Sequence, residues 1–427
     1  MEDNAYHRVC ALISKMVNIG IVGIFRGLEF YKNAKLDCKV VAICEKNNKL
    51  IEKVKVENDI KDVVFYQDYD EFLNHNMDAV VLANYANEHA PFAIKALKKG
   101  KHVLSEVLPV QTLKEAVELV ETIEETGLIY SYGENYCYFD STRKIKELYQ
   151  KGLIGEFEYG EGEYVHNCEP IWPDITYGEE NHWRNNMYAT FYCTHSIGPL
   201  IHITKLRPIS VVGFELPYND RMARMGSKGG TAGIEMITLE NGAIIKSLHG
   251  NLSKNSIWYS LYGTKGRIES VREDAINDSE NIIYSNYDTT EISYDGKVIK
   301  EVLIKDTENK IGHGGSDYYA LHNFIKKING EEADTIDIYE ALDMFLPGLF
   351  AYRSILKGNC LMKIPDFRDK QIRENYRCDT TCSDKKVAKD MYVYPYSKGK
   401  IEVPQETYKQ IKEQYLKKFI KGGKKDD

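Results

Sequence analysis

The chain has 427 residues, 43% of them hydrophobic, and a formal net charge of -8. That length is too great for one ordinary core and fits two domains with an appendage. With a mean hydropathy of -0.44, no run of about 18 apolar residues and no domain-wide basic stripe, the chain is expected to bind neither membrane nor nucleic acid.

The lysine-rich end, KKFIKGGKKDD, reads as a solvated tail. The start, MEDNAYHRVCALISKMVNIG, lacks the apolar region and cleavage site of a signal peptide, so the residues before Met16 read as an upstream extension. The nine cysteines form no evenly paired framework, and a cytoplasmic protein with reduced thiols is expected. Cys378 and Cys382 are spaced CxxxC without a second pair, so no metal site is expected there.

Residues 17–22, VNIGIV, form an apolar run leading into GIFRG, which reads as a buried strand and a tight turn. CKVVAICE (38–45), DAVVLAN (78–84), KHVLSEV (101–107) and LIYSYGEN (128–135) repeat the pattern, with helical segments at 87–100 and 112–127. The second helix opens on Thr112, with Glu115 at the capping-box position, and stops at Gly127. Short buried strands alternating with amphipathic helices predict an α/β fold, its parallel sheet covered on both faces.

Beyond about residue 137 the texture changes. A helix at 141–151 precedes segments with strand-like alternation, among them FEYGEGEYVH, ISVVGFEL, GIEMITLENGAIIKSLHG and IWYSLYGTKGRIES, with a turn at Asn241-Gly242. They predict a large open, mainly antiparallel sheet. Helical patterns resume from Ser316, and a final extension carries a helix at 405–420. Its Tyr408, Ile411, Tyr415 and Phe419 share one face, expected to pack on the body or on a neighbouring subunit.

A strand that runs into a glycine-bearing turn and then a helix is the place for a dinucleotide, because helix N–H groups and close backbone approach favour the pyrophosphate. Here the turn offers Gly23, Phe25, Arg26 and Gly27, with Phe25 in the usual second-glycine position. Glu45 ends the second strand, about 20 residues on, where an acid accepts bonds from the ribose hydroxyls and repels a 2′-phosphate. NAD is therefore favoured over NADP, although Lys46 lies next to Glu45. Asn84, Tyr85, Asn87 and His89 follow the third of the strands read here, Glu106 and Val107 end the fourth, and Asn135 ends the fifth.

The segments GIVGIFRG, VVAICEKN, DAVVLANYANEHAPFAIKALKKGKHVLSE, YGEN, GLIGEF and YGTKGRI make the chain resemble the glucose–fructose oxidoreductase / inositol dehydrogenase (Gfo/Idh/MocA) family over roughly residues 16–360. The resemblance implies a doubly wound Rossmann domain at 16–137 and an α/β substrate and oligomerisation domain at 138–362. A C-terminal extension at 363–427 follows. It also implies a homo-oligomer, a dimer or tetramer. Dehydrogenases of this family carry Lys-Pro after the acid; here Val107 and Leu108 stand there, and Pro109 comes one step later. The usual acid-to-histidine pattern of the second domain is replaced by YCTHSIGPL (192–200). Together with EGEYVHN, HWR, GHGGSDY and IPDF, these departures resemble a branch of NAD-dependent glycosidases similar to α-N-acetylgalactosaminidases.

His195 is the expected base for a substrate hydroxyl, since imidazole exchanges protons near neutral pH; the alternative is a structural histidine. Tyr164 and His166 alternate on one strand and point to one face, as candidates for a second acid/base. Tyr192, Trp183, Arg184 and His313 are the candidate substrate contacts, with a salt bridge as the alternative for Arg184 and a helix-start role for His313. The leading expectation is an NAD(P)-dependent oxidoreductase acting on a hydroxyl of a sugar, glycoside or cyclitol. The alternatives are a redox-neutral NAD-dependent glycoside hydrolase, working by oxidation, elimination, addition and reduction, and a non-catalytic nucleotide-binding regulatory module.

Overall fold

A computed structural model describes residues 16–35, 37–272, 281–287, 298–303 and 311–421. The expectations for residues before Met16, for Cys10, for the Phe419 side chain and for the last part of the lysine-rich tail lie outside the described residues.

Six strands form the first sheet: β1 (Val17–Val22), β2 (Cys38–Cys44), β3 (Val64–Tyr66), β4 (Ala79–Leu82), β5 (His102–Ser105) and β6 (Tyr130–Tyr132). They lie in the order β3-β2-β1-β4-β5-β6, and every pairing is parallel. The order reverses between β1 and β4, so the crevice at the strand C-terminal ends opens there. β4 is buried at all four positions, as a strand covered by helices on both faces must be. The helix Leu113–Thr126 has the expected box: Glu115 N–H donates to Thr112 Oγ1 at 3.1 Å and Thr112 N–H to Glu115 Oε2 at 3.2 Å. Gly127 closes it in the left-handed region, with φ 62°. The short edge strand β3 escaped the sequence pattern because its three residues are only exposed or half-buried.

Among the described residues the second sheet has nine strands. In chain order they are β7 (Phe157–Val165), β8 (Pro208–Glu215), β9 (Ala232–Leu239), β10 (Ile244–Gly250) and β11 (Ser256–Gly263), then β12 (Gly266–Ser270), β13 (Asn281–Tyr287), β14 (Ile299–Leu303) and β15 (Met362–Lys363). Their order is β14-β13-β12-β11-β7-β10-β9-β8-β15. The β7–β10 pair is parallel and its flanking pairs are antiparallel, in line with the expected mainly antiparallel sheet. The helix Thr194–Thr204 lies buried along its whole length against this sheet. Gly162 of β7 permits that approach, since a Cβ there would stand 1.8 Å from Ser196 O.

The chain then doubles back along the first domain. Arg373, 1% exposed, is bidentate to Glu124 at 2.9 and 3.0 Å, and Arg377 grips Glu121 at 2.9 and 2.6 Å. Both acids sit on the helix Leu113–Thr126. The last helix, Gln405–Lys421, packs Ile411 into a small cluster with Trp172, Met222 and Met225.

Candidate active site

A cleft of about 840 Å³ runs from the switch point of the first sheet to the inner face of the second. That is the size range of a small-molecule site. Its two ends differ in chemistry.

At the first end lie Gly23, Phe25, Glu45, Asn84 and Tyr85. Gly23 has φ 83°, and a Cβ there would stand 2.6 Å from Ala83 O, so only glycine fits this turn. The following helix, Ile24–Ala34, has no acid in its first turn and no cap from its N-cap side chain. Its first N–H is instead taken by Glu45 Oε2 at 3.0 Å, while Glu45 Oε1 accepts from Asn47 N–H at 2.9 Å. Glu45 is thereby fixed at the end of β2, facing the turn. The side-chain oxygen of Asn84, which lines the cleft, is buried without a partner among the described residues. A tight glycine turn, a helix N-terminus, a fixed acid and an idle polar atom together fit a dinucleotide.

Not every predicted residue reaches the cleft. Gly27 sits behind it, where a Cβ would meet Ile21 at 2.5 Å, so it serves helix–strand packing. His89 is buried, with Nδ1 2.8 Å from the Leu108 carbonyl and Nε2 3.3 Å from the Asn84 carbonyl. Burial takes its pKa down to about 4 despite those carbonyls; the neutral ring has one N–H to donate, and the shorter contact, to Leu108, is its tie to the neighbouring loop. Asn87 is likewise absent from the lining.

Arg26 lines the cleft, but its guanidinium is held by carboxylates. It bonds Asp317 through both oxygens at 2.8 and 2.6 Å, approaches Glu106 Oε1 at 2.6 Å and pairs with Glu29. Asn135 donates to Asp317 Oδ1 at 2.9 Å, and His313 Nδ1 bonds its other oxygen at 2.9 Å. Burial pushes Glu29 up to about 7 and raises Glu106, in both cases against Arg26. Burial also opposes ionisation of Asp317, yet Arg26 and His313 outweigh it and hold this acid well below the usual range. Glu29, His313 and Asp317 offer ligand atoms within 4.8 Å of one another, but the Arg26 guanidinium already supplies the positive charge a metal ion would bring.

The second end centres on His195, the second residue of its helix and 6% exposed. Its Nδ1 donates to Glu134 Oε1 at 2.6 Å. Glu134, 0% exposed, is itself held by the Thr194 hydroxyl at 2.8 Å and the Tyr136 N–H at 3.2 Å. The Tyr259 hydroxyl fixes the His195 carbonyl at 2.5 Å. Three tyrosine rings surround the imidazole, with centroids at 4.2 Å for Tyr136, 4.6 Å for Tyr164 and 5.1 Å for Tyr192. Among the described residues Nε2 has no partner, and His195 lines the cleft. Val107 also lines it, apolar where the resembled dehydrogenases carry lysine.

Tyr164 and His166 both line the cleft, as their alternation required, but only Tyr164 touches the His195 ring; His166 Nδ1 lies 3.2 Å from Cys168 Sγ. Burial raises the Tyr164 hydroxyl well above its ordinary range, so it is a neutral donor at rest. Arg184 makes no salt bridge among the described residues; its guanidinium lies over the Trp183 ring at 4.4 Å and near Tyr192 at 5.4 Å. It thereby covers part of the ring of Trp183, itself a candidate substrate contact. Glu134 and Asp317, which orient His195 and His313, were missed as site residues. Only the position of Glu134 at the end of β6 hinted at its role.

Two families match parts of this chain. Residues 17–134 match the oxidoreductase family with an NAD-binding Rossmann fold, and residues 211–373 match the C-terminal domain of glycosyl hydrolase 109. A glycosyl hydrolase family 109 protein from Solibacter usitatus is 26% identical over 393 residues, covering 82% of this chain and 88% of its own. An alpha-N-acetylgalactosaminidase from Tannerella forsythia is 24% identical, with 82% of this chain and 86% of its own covered. Among solved structures, levoglucosan dehydrogenase in complex with NADH and L-sorbose superposes with a TM-score of 0.69 at 16% identity, over 83% of this chain and 100% of its own. Myo-inositol 2-dehydrogenase from Lactobacillus plantarum gives 0.64 at 18% identity, over 82% and 100%.

Proposed function

From a chain that joins a Gfo/Idh/MocA-type Rossmann domain to a glycosyl hydrolase 109 C-terminal domain, we propose an NAD-dependent glycoside hydrolase. It cleaves an α-linked N-acetylhexosaminide through an internal, redox-neutral cycle. The observation that carries this reading is the His195–Glu134 pair, wrapped in tyrosines at a cleft end that lacks the dehydrogenase lysine. The fold remains that of an oxidoreductase, and hydride chemistry becomes a means of breaking the glycosidic bond.

Bound NAD would take a hydride from a ring carbon, C3, and return it at the close of the cycle. Gly23, Glu45 and the Asn84–Tyr85 loop would hold it, with Glu45 favouring NAD over NADP. Glu134 accepts the Nδ1 proton of His195, which leaves Nε2 with the lone pair that takes the C3 hydroxyl proton and later gives it back. A C3 ketone acidifies the proton on C2. The Tyr164 hydroxyl, beside His195 and neutral at rest, gives its proton to the leaving oxygen as the C1–oxygen bond breaks and takes the C2 proton in its place, so the phenol ends the step as it began. Water then adds its oxygen to C1 while a solvent-derived proton returns to C2. A paired-carboxylate mechanism finds no free pair among the described residues of the catalytic end, because Glu134 is spent on His195 and Glu106 on Arg26.

The test is an aryl α-N-acetylgalactosaminide in D2O, with aglycone, NADH absorbance and product isotope followed together. The expected result is aglycone release without net NADH and with deuterium at C2 of the sugar. Net NADH with an intact glycoside would overturn the proposal in favour of a simple dehydrogenase. Tyr164→Phe is expected to stop release and C2 exchange while reduced nicotinamide still builds up on the enzyme.

A further inference from the structure

The C-terminal helix Gln405–Lys421 does more than pack on the body. Lys412, Tyr415 and Leu416 line the same cleft as Glu45, Asn47 and Leu50. Their i, i+3, i+4 spacing puts all three on one face of the helix. The matches to known families end at residue 373, so this wall comes from a part of the chain that they do not cover.

The helix is seated by close contacts. A Cβ at Gly178 would stand 2.5 Å from Lys412 N, so the backbones touch there. The Tyr408 hydroxyl donates to Gly226 O at 2.9 Å, and Lys418 Nζ reaches Asp174 at 2.8 Å. The turn that receives the helix is unusual: Tyr177 has φ 56° and Gly178 φ 68°. Tyr177 is the left-handed C-cap of the helix Trp172–Thr176, its N–H bonded to the Pro173 carbonyl, a position that costs a tyrosine more than a glycine. Tyr177 lines the cleft and meets the Tyr415 ring edge-on at 5.0 Å. From Tyr177 the aromatic contacts continue to His182 at 6.3 Å and on to Tyr85, after β4, at 4.7 Å. An aromatic clasp thus joins the nucleotide-side loop to the last helix. Leu416, 43% exposed, presents apolar surface at the same end of the cleft as Leu50.

We propose that Lys412, Tyr415 and Leu416 form the outer wall of the adenosine subsite, so that residues from both ends of the chain enclose the dinucleotide. The inference rests on the cofactor reading above. The apolar face of Leu416 and the Tyr177–Tyr415 pair take the flat adenine base, and Lys412 adds positive charge near the ribose end. Among the described residues the hydrogen-bond and ring partners of His195 lie outside this helix, so the nicotinamide half would be held apart from it.

That division supplies the test. In the full-length protein, Leu416→Asp, at a partly exposed position, and Tyr415→Ala are compared with Tyr415→Phe for NADH binding and release by nucleotide fluorescence. Nicotinamide mononucleotide, which lacks the adenosine, is the control ligand. The expected result is NADH release about tenfold faster in Leu416→Asp and Tyr415→Ala, about 1.4 kcal/mol at 25 °C. Mononucleotide binding should be unchanged and Tyr415→Phe close to the parent. NADH release at the parent rate in both variants, with thermal unfolding unaltered, would overturn the wall. Equal weakening of both ligands would also overturn it, since it would place the effect outside the adenosine half. A parent protein that binds neither ligand would sink the cofactor reading instead.

Discussion

Nδ1 of His195 and Oε1 of Glu134 lie 2.6 Å apart, both buried, although 61 positions separate them in the chain. The bond fixes the tautomer, because a carboxylate can only accept, and it aims Nε2 at the cleft. The imidazole sits on a helix packed against the second sheet, and the carboxylate that orients it follows β6 of the first, so the pair joins the two sheets.

His195→Ala should lower kcat by about 10²–10⁴-fold, the usual worth of a positioned acid/base, with dinucleotide affinity unaltered. Glu134→Gln keeps the volume but lets the imidazole choose the wrong tautomer, and should lower kcat with little change in KM. Steady-state kinetics beside nucleotide titration check both. Unchanged turnover in His195→Ala would remove that residue from the mechanism.

If Glu45 bonds the ribose as proposed, Glu45→Ala should weaken NAD more than NADP, because such a carboxylate would bond the ribose hydroxyls of one and repel the 2′-phosphate of the other. It also frees the first N–H of the helix Ile24–Ala34, now held by Glu45. Calorimetric titration with both nucleotides reads the difference. Equal losses would exclude the ribose role.

Arg26→Met leaves Glu106 and Asp317 buried without their countercharge and should destabilise the protein by about 3–5 kcal/mol, as one-sided removal of a buried pair does. Arg26→Met with Asp317→Asn should recover part of that loss. Denaturant unfolding of both single variants and the double variant gives the coupling directly.

His89 should make the protein acid-sensitive. Its pKa is about 4 in the fold and about 6.5 in an unfolded chain. Between these values the unfolded state binds the extra proton, so stability falls as pH drops. The full shift amounts to about 3 kcal/mol. Above pH 6.5 the contribution is constant. The raised carboxyls Glu29 and Glu115, at about 7, act oppositely, so the comparison is made against His89→Asn. The stability gap between parent and variant should shrink from pH 7 to pH 4, by denaturant midpoints; a gap independent of pH would count against a neutral buried imidazole.

Much of this architecture was written locally. The run VNIGIV predicts β1 at its observed limits, and Thr112, Glu115 and Gly127 mark both ends of a helix by capping chemistry that acts within one turn. The alternation that put Tyr164 and His166 on one face, and the choice of His195, likewise needed only short-range pattern and the family resemblance. Edge strand β3 was missed because it buries too little apolar surface to leave a pattern. His89 and Gly27 carried the right position but served packing, which strand-end reasoning cannot tell from ligand contact.

Which side chains meet was decided only by tertiary packing. Glu134 under His195, the Arg26 fork on Asp317 and the last helix against Tyr177 each join elements whose spacing along the chain holds no periodicity. The amino-acid sequence determined the strands, helices and turns because those obey bonds a few residues long. The charges, orientations and walls of the cleft depend on how separate hydrophobic faces bury one another, and that is settled when the domains close.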